Sequence, residues 1–295
     1  MPIVTPPDTC APPADPPAST SGTDREAADD ASISHAPQRR RSRRRWLAAR
    51  IALLVLIAGV TAFDINLATG PSVNNAPAVV EVIDRAHGSL PEMIAPTERI
   101  AIAIVAAEDG TFYSNNGVDV PDLVRGFLGY LIGTDAGGST IEIQLAHLLY
   151  PSETDGLWGR VHRVSLALQF DTHYTKPAIL SMYLGAAYFG HGYYGIRAAS
   201  LGYFGTPPGQ LSWAQAALLA GLVQAPSALD PVGHLTAAVQ RMGYVLQRLV
   251  SDGRLTAAQA TAIARSPLAL IVPRAPNGSL AATDDPQPAI HRAAM

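Results

Sequence analysis

Glu108 and Asp109 stand side by side at the end of the apolar run Arg99-Ile-Ala-Ile-Ala-Ile-Val-Ala-Ala, and Gly110 follows them. Thr97 can cap a helix over that run and Gly110 can stop it, so both carboxylates fall at a helix C-terminus. The negative end of a helix dipole disfavours ionisation and raises a carboxyl pKa toward neutrality, which suits a general acid or base. The competing reading is an exposed acidic pair that ends a helix. Gly137-Gly138-Ser139-Thr140 is a glycine turn that opens a second helix, and its free backbone N–H groups would suit a phosphate; the alternative is a turn that binds nothing, as most glycine turns before helices do. Arg160 and Arg163 are three apart on a predicted helix, so they share a face, and two neighbouring guanidiniums attract an anion. The alternative for that pair is a solvated or headgroup-facing basic surface. Between Tyr188 and Ala199 glycines alternate with aromatics, a pattern for backbone that passes close to something; His191 there orients backbone rather than reacts. Asp171 and His173 read as surface residues.

Composition limits the other chemistries. Cys10 is the only cysteine, so one chain builds neither a disulfide framework nor a thiolate metal site. Lys176 is the only lysine. The chain has 295 residues, 48% hydrophobic and only 15% charged, enough for one sizeable domain with tails and apolar enough to implicate a membrane. Residues 1–63 hold eight arginines against six acids, net +2, so the total of −3 leaves −5 for residues 64–295. An acidic outer domain is a poor binder of nucleic acid, which is excluded as a partner.

The elements that must position these groups follow in chain order. Residues 1–45 are a disordered, Pro- and Ser-rich tail ending in the basic cluster Arg39–Arg45. Trp46–Phe63 is nearly unbroken apolar sequence, about 27 Å as helix at roughly 1.5 Å per residue, close to the hydrocarbon thickness. Only Arg50 interrupts it, near enough to the basic end to snorkel. Arginines before the span and acids after it place the N-terminus in the cytoplasm and the remainder outside, as a single-pass protein of the cell membrane. A cleaved signal peptide is the alternative, but the apolar run is long for one and no Ala-x-Ala site precedes a domain start. Residues 64–96 read as an extracytoplasmic stalk with one strand-like run, Ala78–Ile83. Residues 97–267 form a mainly α domain. Its predicted helices are 97–109, 119–133, 140–149, 157–172, 176–187, 196–203, 212–224, 235–251 and 256–265. Capping-box spacing recurs at Ser139 with Glu142, Ser212 with Gln215 and Thr256 with Gln259. Residues 268–295 read as a flexible tail.

Four segments in this order carry a family resemblance: Glu108-Asp109-x-x-Phe112, Gly137-Gly138-Ser139-Thr140-Ile141, Tyr188-Phe189-Gly190 through Ala199, and Ala217-Leu218-Leu219-Ala220-Gly221 through Ser227. Over about Pro91 to Pro267 the chain resembles the peptidoglycan glycosyltransferases, glycosyltransferase family 51. The resemblance implies a lysozyme-like helical fold with a smaller jaw subdomain that dips into the bilayer. It implies polymerisation of lipid II, moving a growing glycan strand from its undecaprenyl pyrophosphate onto the 4-hydroxyl of the next disaccharide. It further implies Glu108 as the general base, with Asp109, Gly137, Gly138, Ser139, Thr140, Gln144, Arg160 and Arg163 at the substrate, and Phe127, Leu128, Tyr130, Leu131 and Ile132 as jaw residues. Other cell-wall synthesis proteins are implied as partners.

The chain departs from the family pattern at several places. Asn115 and Asn116 stand where a histidine precedes the glycine of the first motif. The second motif's Thr-Gln-Gln-Leu reads Glu142-Ile143-Gln144-Leu145, with His147 in the place of a lysine. The third motif's Arg-Lys-x-x-Glu reads Gly159, Arg160 and Arg163, so its carboxylate is absent, and with it the basis for a divalent cation such as Mg²⁺. Gly185 stands for the fourth motif's asparagine. No Ser-x-x-Lys of a transpeptidase is present, since His173 lies three before Lys176. Three readings therefore stand: an active polymerase, a weak or inactive homologue that binds lipid II or cell-wall partners, and a lytic, lysozyme-like glycosidase. The glycine-turn and Tyr-Phe-Gly motifs favour the first over the third.

Overall fold

A computed structural model of the chain describes residues 38–70, 72–87, 93–95, 97–133, 139–151 and 156–271. It comprises two units, Met1–Ile57 and Ala58–Met295. The helix α1 (Gln38–Thr69) carries the stretch Arg45–Ile65, which is long and apolar enough to cross a membrane and is buried nowhere in the structure.

The larger unit is helical; among the described residues its only β-type pairing is one isolated bridge, Tyr188 with Tyr194. In chain order its helices are α2 (Ala76–Ala86), α3 (Arg99–Glu108), α4 (Val120–Leu131), α5 (Ile141–Leu149), α6 (Leu157–His173), α7 (Lys176–Ala186), α8 (Ile196–Phe204), α9 (Trp213–Leu222), α10 (Pro231–Ser251) and α11 (Ala257–Ala264). Every residue of α9 after Trp213 is buried, and α3 and α10 pack on it. Small residues make that closeness possible: a Cβ on Gly221 would meet Arg241 Cγ at 2.9 Å. The second half of the core stacks α5 on α6 and α7, with α2 against α7.

Three local expectations change. The strand-like run Ala78–Ile83 is the body of α2, because Pro77 opens a helix and Ala76, Val80 and Ile83 fall on one buried face at helical spacing. The segment expected to be a stalk thus supplies core: Val73, Ala76, Val80, Ile83 and Ile94 are all buried. Thr97 does not cap α3; Glu98 is its N-cap, without a side-chain cap bond, and its carboxylate accepts from Ala95 N at 2.9 Å. The helix expected at 235–251 begins four residues earlier, at Pro231, and is kinked at His234. The Ser212–Gln215 and Thr256–Gln259 boxes form as predicted.

On α4 and the turn after it, Val120, Val124, Leu128 and Ile132 recur every fourth position and are all exposed, an apolar stripe left on the outside. Leu128 and Ile132 were predicted for the jaw; the side chains of Phe127, Tyr130 and Leu131 lie outside the described residues.

Candidate active site

Glu108 ends α3, so its carboxylate leaves the helix where α5 and α7 pack close by. Gln144, on the second turn of α5, donates from Nε2 to Glu108 Oε2 at 2.9 Å. Tyr183, fully buried on α7, donates its hydroxyl to Gln144 Oε1 at 2.6 Å. The other carboxylate oxygen, Glu108 Oε1, is buried and accepts no hydrogen bond among the described residues. Burial raises the Glu108 pKa, while the Gln144 bond and the charge of Arg241 pull it back down. The raised pKa predicted from the helix terminus is therefore present, with desolvation as its main cause.

A cleft of about 400 Å³ opens beside this chain of bonds. Ser139, Gln144, His147, Arg163, Tyr183, Tyr188, Val223, Pro226 and Ser227 are among the residues that line it. The glycine-turn, Tyr-Phe-Gly and Ala-Pro-Ser segments, far apart in sequence, thus meet at one cavity. The Tyr188–Tyr194 loop is held tight to the last of them. A Cβ on Gly190, whose φ is +83°, would meet Pro226 O at 2.7 Å, a place only glycine fills.

The structure separates the predicted substrate residues. Ser139, Gln144 and Arg163 line the cleft. Arg160 is exposed one turn earlier on α6 and does not line it, so the pair does not act as one clamp there. Gly137 and Gly138 lie outside the described residues. Thr140 is a structural cap: it is buried, it donates to Gly117 O at 2.8 Å and accepts from Ile143 N at 3.3 Å. That role replaces the box expected at Ser139 and Glu142. Asp109 is likewise committed inside the protein. Its Oδ1 accepts from Thr111 N and Oγ1, and its Oδ2 from Asn115 Nδ2 at 3.0 Å and Ile141 N at 3.3 Å. It therefore ties the end of α3 to the start of α5, and both its oxygens already accept hydrogen bonds inside the protein.

Two of the motif departures, Asn115 and Glu142, join a network around Lys176. Glu142, with no exposed surface, accepts from Lys176 Nζ at 2.6 Å. The same ammonium reaches Asp171 at 2.9 Å and Asn115 Oδ1 at 2.9 Å, and lies over the Phe112 ring. Asn115, in the place of the histidine, thereby links Lys176 to Asp109. Asp171, read from sequence as a surface residue, is half-buried and belongs to this network. At Gly185 a Cβ would meet Val80 Cγ1 at 3.1 Å, so α2 occupies the room that an asparagine would need. His191 meets the expectation that it shapes backbone: its φ is +53° and its Nδ1 lies 3.1 Å from Asp230 Oδ2. Tyr183, Arg241 and Lys176 were not singled out as site residues in the sequence; their signal lies in long-range contact, which spacing does not carry.

Comparison with known proteins agrees with this arrangement. The family model described as Transglycosylase matches residues 79–250. The chain belongs to glycosyltransferase family 51, the peptidoglycan transglycosylases. Its mainly helical architecture is that of the family's lysozyme-like domain. Among its relatives is penicillin-binding protein 2a of Streptococcus pneumoniae, 35% identical over 175 residues, 59% of this chain and 24% of that protein. Penicillin-binding protein 1A of Mycolicibacterium smegmatis is 34% identical over 237 residues, 73% of this chain and 30% of that protein. A Cupriavidus necator protein described as a "putative transglycosylase" is 37% identical over 169 residues, 57% of this chain and 73% of its own length. The chain thus spans about a quarter to a third of the penicillin-binding proteins it matches. The family match extends twelve residues further toward the N-terminus than the motif resemblance at Pro91, since it starts at 79, inside α2.

Proposed function

We propose that this protein is a membrane-anchored peptidoglycan glycosyltransferase that polymerises lipid II, with Glu108 as the general base. The observation that carries the reading is the buried carboxylate held at Oε2 by the cleft-lining Gln144, with Oε1 accepting no hydrogen bond among the described residues. In this reading Oε1 takes the proton from the acceptor 4-hydroxyl as its oxygen attacks the anomeric carbon of the growing glycan. The C1–O bond to the undecaprenyl pyrophosphate breaks, and the lipid diphosphate leaves. Arg163, which lines the cleft, is the group that neutralises the departing anion. The site's donor set, with Gln144, His147 and the cationic Arg163, does not suit a divalent cation, which needs several hard oxygen ligands. No step is routed through one. The apolar stripe Val120–Ile132 is the face that would meet lipid, and Arg45–Ile65 the anchor.

A second reading, binding of lipid II without turnover, draws support from the motif departures Asn115 and Glu142, which both bond to Lys176 beside Asp109. Incubation of the purified full chain with labelled lipid II separates the two. Polymer that disappears in Glu108→Gln supports the transferase, and saturable binding without polymer supports the second reading.

A further inference from the structure

We propose that Tyr183 is a positioning residue for Glu108, acting through Gln144. The proposal builds on the assignment of Glu108 as the base. A glutamine amide has a donor end and an acceptor end, and rotation by half a turn exchanges them. Facing Glu108, only the donor end is productive; the acceptor end would set a carbonyl oxygen against a carboxylate. Gln144 is half-buried in the wall of the cleft, and its amide can present either end to Glu108. The Tyr183 hydroxyl makes the choice. It is fully buried, it has one proton to give, and it gives it to Gln144 Oε1 at 2.6 Å, which leaves Nε2 for Glu108 at 2.9 Å.

The phenol stays a donor throughout the working range, because burial and the neighbouring Glu108 charge push its pKa well above the ordinary tyrosine value. The charged and titratable groups acting on Glu108 are Tyr183 on α7 and Arg241 on α10. Of these, only Tyr183 reaches it through Gln144. The chain of three residues thereby fixes which oxygen of Glu108 is occupied and which is left without a partner.

The test uses the full chain in detergent and the variants Glu108→Gln, Tyr183→Phe, Gln144→Leu and the double variant. Tyr183→Phe keeps the ring and removes the hydroxyl. Glu108 ionisation is followed by the infrared carboxyl band that Glu108→Gln abolishes, and polymerisation by labelled lipid II. In Tyr183→Phe the titration of Glu108, and with it the acid limb of kcat, moves to higher pH by about half a unit or more. kcat falls about fivefold or more, as loss of one hydrogen bond at the base implies, while KM stays within about twofold. In the Gln144→Leu background the same change adds nothing. Equal titration in wild type and Tyr183→Phe, or losses that multiply in the double variant, overturns the proposal. A shifted titration in a protein that makes no polymer leaves the positioning intact and overturns the transferase reading instead. Tyr183→3-fluorotyrosine, which keeps the hydroxyl and strengthens its donor, moves the titration to lower pH. It covers the case in which the phenylalanine variant does not fold, and an unmoved titration there also overturns the proposal.

Discussion

Gln144 holds Glu108 across 36 positions of sequence, its Nε2 donating to Oε2 at 2.9 Å. One bond thereby joins the end of α3 to the second turn of α5, whose Gln144 lines the cleft. Oε2 is occupied while Oε1, buried, accepts no hydrogen bond among the described residues, an asymmetry that the proposed role as a base would use.

Burial gives the same carboxylate a cost in stability. The folded-state pKa of Glu108 is raised, so the native protein binds its proton more tightly than the unfolded chain does. Stability from this group is present at low pH and is lost as pH rises from the ordinary carboxylate range through the raised folded value. Glu108→Gln removes the charge and can still accept from Gln144. Its melting temperature should exceed that of wild type at pH 7, with the margin shrinking as pH falls to about 4. An unchanged margin across that range would show that the carboxylate is not desolvated.

The Lys176 cluster makes a sharper stability prediction. Removing one partner of a buried ion pair leaves an uncompensated charge and costs on the order of 3–5 kcal/mol. Lys176→Met should therefore destabilise strongly in denaturant unfolding, since it strands Glu142, which has no exposed surface. Glu142→Leu combined with Lys176→Met should recover most of that loss. A single variant as stable as wild type would remove the pair from the core.

What the sequence made legible was local. The boxes at Ser212 and Thr256 need only residues three apart, and both form. The place of Glu108 at a helix end followed from ten residues of local signal, whereas its role as base was implied only by the family resemblance. Contacts that join distant segments were not readable. Asp109 looked like a ligand for substrate because its four donors come from Thr111, Asn115 and Ile141, and the last is 32 positions away. Glu142 resembled a cap residue beside Ser139 because its partner Lys176 is 34 positions off. Ala78–Ile83 looked extended because β-branched residues dominate it, yet packing against α7 decided for helix, as tertiary context overrides a weak local preference. Arg160 and Arg163 share a helix, but a helix face is broader than a cleft, and only Arg163 lines it.

Arg163 separates a charge-reversed binding site from a decayed one. A charge-assisted contact to a diphosphate is worth roughly 1.5–3 kcal/mol, so Arg163→Glu should weaken lipid II binding by about tenfold or more, with no recovery in Mg²⁺. Polymerisation that rises with Mg²⁺ in that variant would mean that the position belongs to a lost cation site. Unchanged binding and turnover would remove Arg163 from the chemistry.

The anchor predicts a topology. With Arg39–Arg45 before the span, Cys10 should stay unlabelled by a membrane-impermeant thiol reagent in intact cells and react after lysis. Labelling in intact cells would reverse the orientation and place the cleft on the wrong side for lipid-linked glycan assembly.

Single-turnover polymerisation of labelled lipid II by wild type and Glu108→Gln at matched binding tests Glu108 as the base most directly. General-base assistance is worth roughly 10²- to 10⁴-fold. The variant should bind lipid II within about twofold of wild type and form glycan at least a hundredfold more slowly; polymer at the wild-type rate would contradict the assignment of Glu108.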